Sequence, residues 1–161
     1  MISTIYDSPI GALTLASDGE ALTQVEFENG KYPLPQHPLG ADKILDQARR
    51  ELDAYFVGKL REFRVKVAPA GTEFQRKVWA ALQTIPYGAT RSYAQQAVLV
   101  GSPKATRAVG AANGRNPIPV IIPCHRVIGA NGSLTGFGGG MERKQILLEL
   151  EQGGNLLARA S

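Results

Sequence analysis

The chain divides at Ala68-Pro69-Ala70-Gly71, and this division constrains the fold more than any other feature of the sequence. Proline and glycine interrupt both helical and strand patterns, so a segment of this composition predicts a linker. Residues 1–70 carry eight Lys and Arg against ten Asp and Glu, a net charge of −2, whereas residues 71–161 carry ten against four, a net charge of +6. The 161 residues are therefore predicted to form two small domains, residues 1–70 and residues 71–161.

The first domain has the pattern of a small α+β unit. Hydrophobic residues alternate in three short runs that are separated by the turns Ser8–Gly11 and Asp18-Gly19, which predicts an antiparallel meander. Apolar residues then recur with helical spacing from about Ala41 to Val57. Residues Phe63–Val67 alternate again, which predicts one more strand.

The second domain is predicted to be mainly helical. One helix begins after Thr72, a second spans Ser92–Leu99, a third runs from Lys104 to about Asn113, and a last one covers Glu142–Glu151. The second and third are joined by a short turn with glycine, which is the outline of a helix-turn-helix. Half of the residues of the third helix are Ala or Gly, so this helix could approach closely either a neighbouring helix or a nucleic-acid groove.

The basic charge of the second domain is concentrated in one stretch. Between Gly71 and Gly140 the only carboxylate is Glu73, against seven Lys and Arg. Such a stretch should attract a polyanion such as nucleic acid, although a basic surface can also serve solubility alone.

The single cysteine, Cys124, follows a proline-bounded apolar run, Ile118–Ile122, which predicts a buried extended segment. One cysteine excludes an intramolecular disulfide and a cysteine-based zinc site, so we expect no metal. The adjacent His125 could take the thiol proton, and since neighbours in an extended segment point to opposite faces, a bridging water is the natural link. The alternative is an inert buried thiol.

No apolar run reaches about eighteen residues, and the amino terminus lacks the basic start and apolar stretch of a secretory signal. We therefore expect a soluble cytoplasmic protein without a membrane partner.

Several ordered motifs in the second domain resemble one family, the O6-alkylguanine-DNA alkyltransferases, which remove alkyl groups from guanine in DNA. The resemblance covers Thr72 to Glu151. It implies an α+β fold with a small ribonuclease-H-like α/β domain, built on an antiparallel sheet, followed by a winged helix-turn-helix-like domain. It is carried by Phe74-Gln75, Val78-Trp79, Ile85–Gly88, Ser92-Tyr93, Lys104–Gly110, Asn116-Pro117, Ile122–Val127 and a Gly-rich stretch that includes Gly136.

The resemblance also implies roles for individual residues. Cys124 would accept the alkyl group, His125 would deprotonate Cys124 through a water, and Glu151 would orient His125. Tyr93 would donate a proton to the departing base, and Asn116 would support the turn beneath the active segment. The base would lie against the carbonyl groups of Cys124 and Val127 and a loop formed by Phe137, Gly138 and Gly139, where many relatives have tyrosine at Phe137 and some have serine at Gly138. No cofactor is implied.

The implied partner is double-stranded DNA that contains O6-alkylguanine, with O4-alkylthymine as a second lesion. Arg107 would fill the space left by a flipped nucleotide, while Lys104 and Arg115 would contact phosphates. The remaining residues of the implied DNA surface are Ser92, Ala105, Ala108, Gly110 and Ala111. We expect a monomer in solution, and cooperative binding along DNA stays open.

Two other functions remain open at this point. A protein of the same fold could bind lesions or regulate transcription without transfer, although binders of that kind replace the cysteine. A hydrolase using Cys124 and His125 would turn over, whereas an alkyltransferase would be consumed by one reaction.

Overall fold

The computed structural model of the protein describes residues 1–132 and 137–153. Gly136 of the glycine-rich stretch and residues 154–161 of the predicted second domain lie outside the described residues. The elements follow one another as β1 (Ile2–Ser8), β2 (Gly11–Ser17), β3 (Leu22–Phe27), α1 (Lys43–Phe56), α2 (Glu73–Leu82), β4 (Arg91–Ser92), α3 (Tyr93–Leu99), α4 (Thr106–Gly114), a 3₁₀ turn (Cys124–Arg126), β5 (Val127–Ile128) and α5 (Met141–Glu151).

The first three strands form the predicted antiparallel meander in the order β1-β2-β3. Alternate residues of β2, Leu13 and Leu15, are fully buried beneath α1. Helix α1 begins at the N-cap Asp42, whose carboxylate accepts a hydrogen bond from the backbone N–H of Leu45 at 2.8 Å. The sheet and its helix confirm the α+β pattern of the first half.

The prediction of a strand at Phe63–Val67 is wrong. This segment makes one parallel bridge, between Val67 and Leu22, and the N–H of Leu22 donates to the Lys66 carbonyl at 2.8 Å. Further along β3, the N–H of Val25 donates instead to the carbonyl of Pro117 at 2.8 Å. Two different segments bond to the edge of β3. The alternating residues Phe63–Val67 therefore have no longer stretch of β3 with which to pair.

Helices α2, α3 and α4 form the helical core of the second half. Thr72 and Gln75 close a capping box at the start of α2, as the predicted cap at Thr72 requires. The indole N–H of Trp79 donates to the Ala112 carbonyl at 2.8 Å and joins α2 to α4. Gly71 lies against the same indole, and a Cβ there would come within 2.5 Å of the ring.

The predicted start of the third helix at Lys104 is wrong by two residues. Residues 101–104 form a turn in which the N–H of Ala105 donates to the Ser102 carbonyl at 2.9 Å. Helix α4 then begins at Thr106 after the N-cap Ala105. Lys104 and Ala105 therefore lie on the turn between α3 and α4.

The extended conformation predicted for Ile118–Ile122 is also wrong, although its burial is correct. The segment folds into a turn closed by a hydrogen bond from the N–H of Ile122 to the Ile118 carbonyl at 2.9 Å. Val120 adopts a positive φ of 72° within it. Prolines at 117, 119 and 123 remove backbone donors that a strand would need, and Asn116 supplies side-chain bonds in their place.

Both halves contribute side chains to one contiguous hydrophobic core. A two-stranded parallel pairing of β4 with β5 joins the start of α3 to the residue that follows the 3₁₀ turn. Within the described residues, no helix is long and apolar enough to cross a membrane. The fold is α+β, with the sheet in the first half and most helices in the second.

Candidate active site

Cys124 begins the 3₁₀ turn and is 3% exposed. Because the backbone is helical here, the expectation that Cys124 and His125 point to opposite faces of an extended segment is wrong. Burial raises the pKa of the thiol to about 11, while a hydrogen bond from Asn116 and the charge of Lys144 oppose that rise. The resting sulfur is thus a thiol that needs a base.

His125 is fully buried and bonded to the last residue of α5. Its Nε2 lies 2.6 Å from Oε2 of Glu151. Burial lowers the pKa of His125, and the hydrogen bond and charge of Glu151 act against this effect. Among the described residues, the other ring nitrogen, Nδ1, has no hydrogen-bond partner.

Glu151 also binds Arg126, a residue of the Ile122–Val127 motif and of the basic stretch to which the sequence assigned no individual role. The Nε of Arg126 donates to Oε1 at 2.6 Å, and its Nη2 donates to Oε2 at 3.1 Å. Burial favours the neutral carboxyl, but the hydrogen bonds and charges of His125 and Arg126 outweigh it and hold the pKa of Glu151 at about 2. The carboxylate is therefore charged at neutral pH.

Two further residues at this site, Lys144 and Tyr55, were not predicted from the sequence. Lys144 is fully buried, and its Nζ donates to the Val127 carbonyl at 2.6 Å. Tyr55 of α1 donates its hydroxyl to Oε2 of Glu151 at 2.5 Å. Lys144 stands three residues before the buried Leu147, on the apolar face of α5, and this position is the sequence signal that could have singled it out.

Asn116 bridges the turn that precedes Cys124. Its Oδ1 accepts from the N–H of Ile118 at 3.0 Å, and its Nδ2 donates to the Ile122 carbonyl at 2.8 Å. The neighbouring Asn113 donates from Nδ2 to the Cys124 carbonyl at 3.2 Å. The backbone on both sides of the thiol is thereby fixed by side-chain amides.

A cavity of about 110 Å³ opens beside Cys124 between the two halves of the chain. Phe137 forms part of its wall and packs edge-on against Phe27, with ring centroids 5.6 Å apart. Gly138 lies so close to the α4 terminus that a Cβ there would come within 2.9 Å of the Gly114 carbonyl oxygen. A side chain at Gly138 would therefore require the backbone here to shift. The cavity is lined by Val25, Glu26, Phe27, Gly30, Lys31, Tyr32, Pro33, Leu34, Asn113, Gly114, Arg115, Asn116, Pro119, Cys124, Phe137, Gly138 and Gly139.

A larger cleft of about 570 Å³ lies elsewhere, between residues 61–67 and 83–87. It reaches Arg126 but its described lining does not contain Cys124 or His125. The smaller cavity is the better candidate because it contains Cys124, the predicted nucleophile. Among the described residues there is no group of three or more His, Cys, Asp or Glu side chains that could hold a metal ion.

The residues predicted to contact DNA lie around the turn and helix α4. Arg107, Ala108 and Ala111 are exposed, whereas Val109 and Ala112 are buried against the other helices. The buried Ala112 supports the first explanation of the small residues, packing against a neighbouring helix, whereas approach to a nucleic-acid groove stays a prediction for the exposed Ala108 and Ala111.

The other predicted DNA contacts have different surroundings. Lys104 is exposed, and Ala105 is half-buried on the same turn. Arg115 is exposed and stacks on Tyr32, with its guanidinium carbon 3.8 Å from the ring centroid. Ser92 caps α3, because its hydroxyl accepts from the Gln95 N–H at 3.1 Å.

The sequence matches two family models, one for each half of the chain. Residues 1–69 match the ribonuclease-like domain of 6-O-methylguanine DNA methyltransferase, and residues 73–153 match the DNA-binding domain of the same proteins. The chain belongs to the 6-O-methylguanine DNA methyltransferase family. This result confirms the resemblance stated from the motifs, and it extends that resemblance over the first half.

Relatives of this methyltransferase family match nearly the whole chain. A methylated-DNA–protein-cysteine methyltransferase of Methanosarcina acetivorans is 52% identical over 94% of this chain and 98% of its own length. The corresponding protein of Mycobacterium tuberculosis strain H37Rv is 54% identical over 91% of this chain and 89% of its own. The crystal structure of Mycobacterium tuberculosis OGT in complex with DNA superposes with a TM-score of 0.88 at 51% identity, covering 95% of this chain and 94% of that one.

Proposed function

We propose that this protein repairs DNA by moving an alkyl group from O6 of guanine to the sulfur of Cys124, once per molecule. The observation that best supports this proposal is the position of Cys124. Its buried thiol lies at the wall of a cavity, and the next residue, His125, is hydrogen-bonded to the buried carboxylate of Glu151. Relatives that are about half identical over nearly their full length carry the name of this activity. In this proposal, residues 1–70 form a supporting domain, and residues 71–161 form the domain that binds DNA and carries out the transfer.

Activation of Cys124 follows from the bonding of His125. Because Nε2 faces Glu151, the other nitrogen, Nδ1, is left to act on the thiol. A water between Nδ1 and Sγ would carry the proton from sulfur to imidazole, and the charged Glu151 would stabilise the imidazolium. This general-base step is needed because burial raises the pKa of the thiol to about 11.

Transfer is an in-line displacement at the alkyl carbon. The thiolate of Cys124 forms the sulfur–carbon bond while the carbon–O6 bond breaks, and the electron pair leaves on the guanine. Tyr93, half-buried beside Gly110, would give its phenolic proton to the departing base. The Gly138 amide would donate to O6, and the Cys124 and Val127 carbonyls would accept from the exocyclic amine.

Because the thioether that forms on Cys124 is chemically stable, the protein is consumed by one transfer. The transfer itself needs no cofactor.

The DNA surface is the exposed face of α4 with the preceding turn. Arg107, flanked by the small Ala108 and Ala111, would enter the minor groove and fill the stack when the lesion nucleotide rotates into the cavity. Lys104 and Arg115 would bind phosphates, and Ser92, Ala105 and Gly110 would line the same surface. We propose a monomer that acts in the cytoplasm on O6-alkylguanine, with O4-alkylthymine as a second lesion and cooperative assembly on DNA left to experiment.

The decisive experiment is intact-protein mass spectrometry after incubation with a duplex oligonucleotide that carries O6-methylguanine. We expect one methyl group per protein molecule, on the peptide that contains Cys124, and no turnover with excess DNA. Cys124→Ser should remove transfer and keep DNA binding. An unchanged mass in a folded preparation contradicts the proposal, and repeated turnover would favour a hydrolase.

Replacement of Arg107 tests nucleotide flipping. Arg107→Ala should slow transfer from duplex DNA by at least about tenfold and leave transfer from free O6-benzylguanine nearly unchanged, because a free base needs no flipping. The rate of alkylation measures both. Arg50→Ala, an exposed arginine on α1, is the matched control and should affect neither. Equal losses on the two substrates would refute the role of Arg107 in flipping.

A further inference from the structure

A side chain from α1, in the first half of the chain, lies directly against Glu151 of the candidate active site. Tyr55, in the last turn of α1, donates its hydroxyl to Oε2 of Glu151 at 2.5 Å, across 96 positions of sequence. The same oxygen lies 2.6 Å from Nε2 of His125. One carboxylate oxygen therefore serves both the predicted base and a phenol from the other half.

The ring of Tyr55 is held tightly, so its hydroxyl has little freedom to leave Glu151. The side chain is fully buried and packs against Phe63 and Tyr87, with ring centroids at 5.2 and 6.3 Å. Burial, followed by the nearby Glu151 charge, raises the pKa of Tyr55 well above its usual value. The phenol therefore stays protonated, and it stays a donor, throughout the working pH range.

We propose that Tyr55 is a positioning residue for alkyl transfer: by donating to Glu151 it fixes the carboxylate and withholds part of its charge from His125. The inference rests on the proposed function only for its consequence in transfer, because the contact itself is independent of DNA. It assigns the first half a part in the chemistry beyond mechanical support.

The physical argument concerns how one charge is shared. Oε2 accepts from Tyr55, His125 and Arg126, and each donor stabilises the carboxylate at the expense of the others. Removal of the phenol leaves more carboxylate charge for the imidazolium, which favours protonated His125. Among the described residues, the other charged or titratable groups near His125 or Glu151 include Cys124 and Arg126 from the 3₁₀ turn, Lys144 from α5 and Tyr87 from the loop after α2.

The test is a ring-proton NMR titration of His125 in the full chain, comparing wild type with Tyr55→Phe. We expect the midpoint to move upward by about one pH unit in the variant. Tyr6→Phe is the matched control, since Tyr6 also donates to a carboxylate, that of Asp53 at 2.6 Å, and should leave His125 unchanged.

A second replacement reverses the sign and keeps the fold. Site-specific 3-fluorotyrosine at position 55 has nearly the same shape and a more acidic hydroxyl, so it should lower the His125 midpoint. If neither replacement moves that midpoint, the proposal is overturned, whatever happens to stability.

Alkyl transfer provides the functional readout. In Tyr55→Phe the acidic limb of the pH–rate profile should move upward together with the His125 midpoint, because neutral imidazole is the proposed base. A midpoint that moves without a change in the profile would overturn the part in transfer. If wild type transfers no methyl group, the proposed function fails, and the titration still decides whether Tyr55 acts on His125.

Discussion

Glu151 accepts hydrogen bonds from side chains that come from two other parts of the chain. They are Tyr55 of α1 and the consecutive residues His125 and Arg126 of the 3₁₀ turn. A buried carboxylate is costly unless donors surround it, and here its two oxygens share four bonds. At the scale of single residues, Glu151 thus links the proposed base, His125, with the stability of the fold.

Stability should depend on pH through Glu151. The pKa of its carboxyl is about 2 in the folded protein against 4.5 for the free side chain, so the stabilisation is present above about pH 4.5 and is lost as pH falls toward 2. The difference corresponds to roughly 3 kcal/mol, more than half of it lost by about pH 3. Urea unfolding at about pH 6 and about pH 3 measures this loss.

The comparison for this prediction is Glu151→Gln. The amide cannot titrate, so the variant should start less stable at neutral pH and lose less between the two pH values. Equal losses in wild type and variant would show that other carboxyl groups cause the acid sensitivity.

Helices α2 and α4 are stabilised in different ways, although they pack together. Helix α2 begins with a complete capping box made by Thr72 and Gln75. Helix α4 begins at Thr106 after the N-cap Ala105, which makes no side-chain cap hydrogen bond, and the helix is held by its buried residues Val109, Ala112 and Asn113. The helix proposed to enter the DNA groove therefore depends on tertiary packing, whereas the helix behind it has its own local start.

Removal of the α2 cap should destabilise the protein measurably. Thr72→Ala takes away the acceptor for the Gln75 N–H, at 3.1 Å, and we expect a loss of about 1 kcal/mol in the free energy of unfolding. Urea denaturation measures it. Thr106→Ala at the uncapped start of α4 is the matched control and should change stability by less than about 0.5 kcal/mol. Equal effects would argue against the capping box.

The whole molecule combines opposite charge balances around one core. The first half carries a net charge of −2 and the second a net charge of +6, yet buried residues of both form a single apolar cluster. The halves also meet at the cavity, where the N–H of Lys31 donates to the Gly138 carbonyl at 3.0 Å. The two halves of the molecule therefore differ in net charge but share one hydrophobic core.

Salt should weaken DNA binding because Lys and Arg of the second half replace counterions on the phosphates. We expect the dissociation constant for a plain duplex to rise steeply with salt concentration in fluorescence anisotropy. Lys104→Ala should reduce the slope of log Kd against log salt by about 1. Lys59→Ala, an exposed lysine of the first half, should leave the slope unchanged, and a reduced slope there would contradict the assignment of the surface.

Periodicity predicted the elements whose partners lie nearby in sequence. The meander, α1, α2, α3 and α5 appear within a few residues of their expected bounds, because alternation and helical spacing are local properties. Prediction failed where a distant partner decided the backbone. The segment that ends at Val67 forms a single bridge instead of a strand, because β3 also hydrogen-bonds to Pro117. The apolar run before Cys124 forms a turn instead of an extended segment, because Asn116 bridges it.

Motif order, residue type and charge need no coordinates, and they were enough to indicate the family, the candidate reactive pair Cys124-His125 and the basic second half. Tertiary structure decided what surrounds that pair. Tyr55 and Arg126 on Glu151, and Lys144 on the Val127 carbonyl, depend on how α1, α5 and the 3₁₀ turn pack together. Contacts between residues that lie tens of positions apart form only when the core packs, so a local pattern of residue types in the sequence does not predict them.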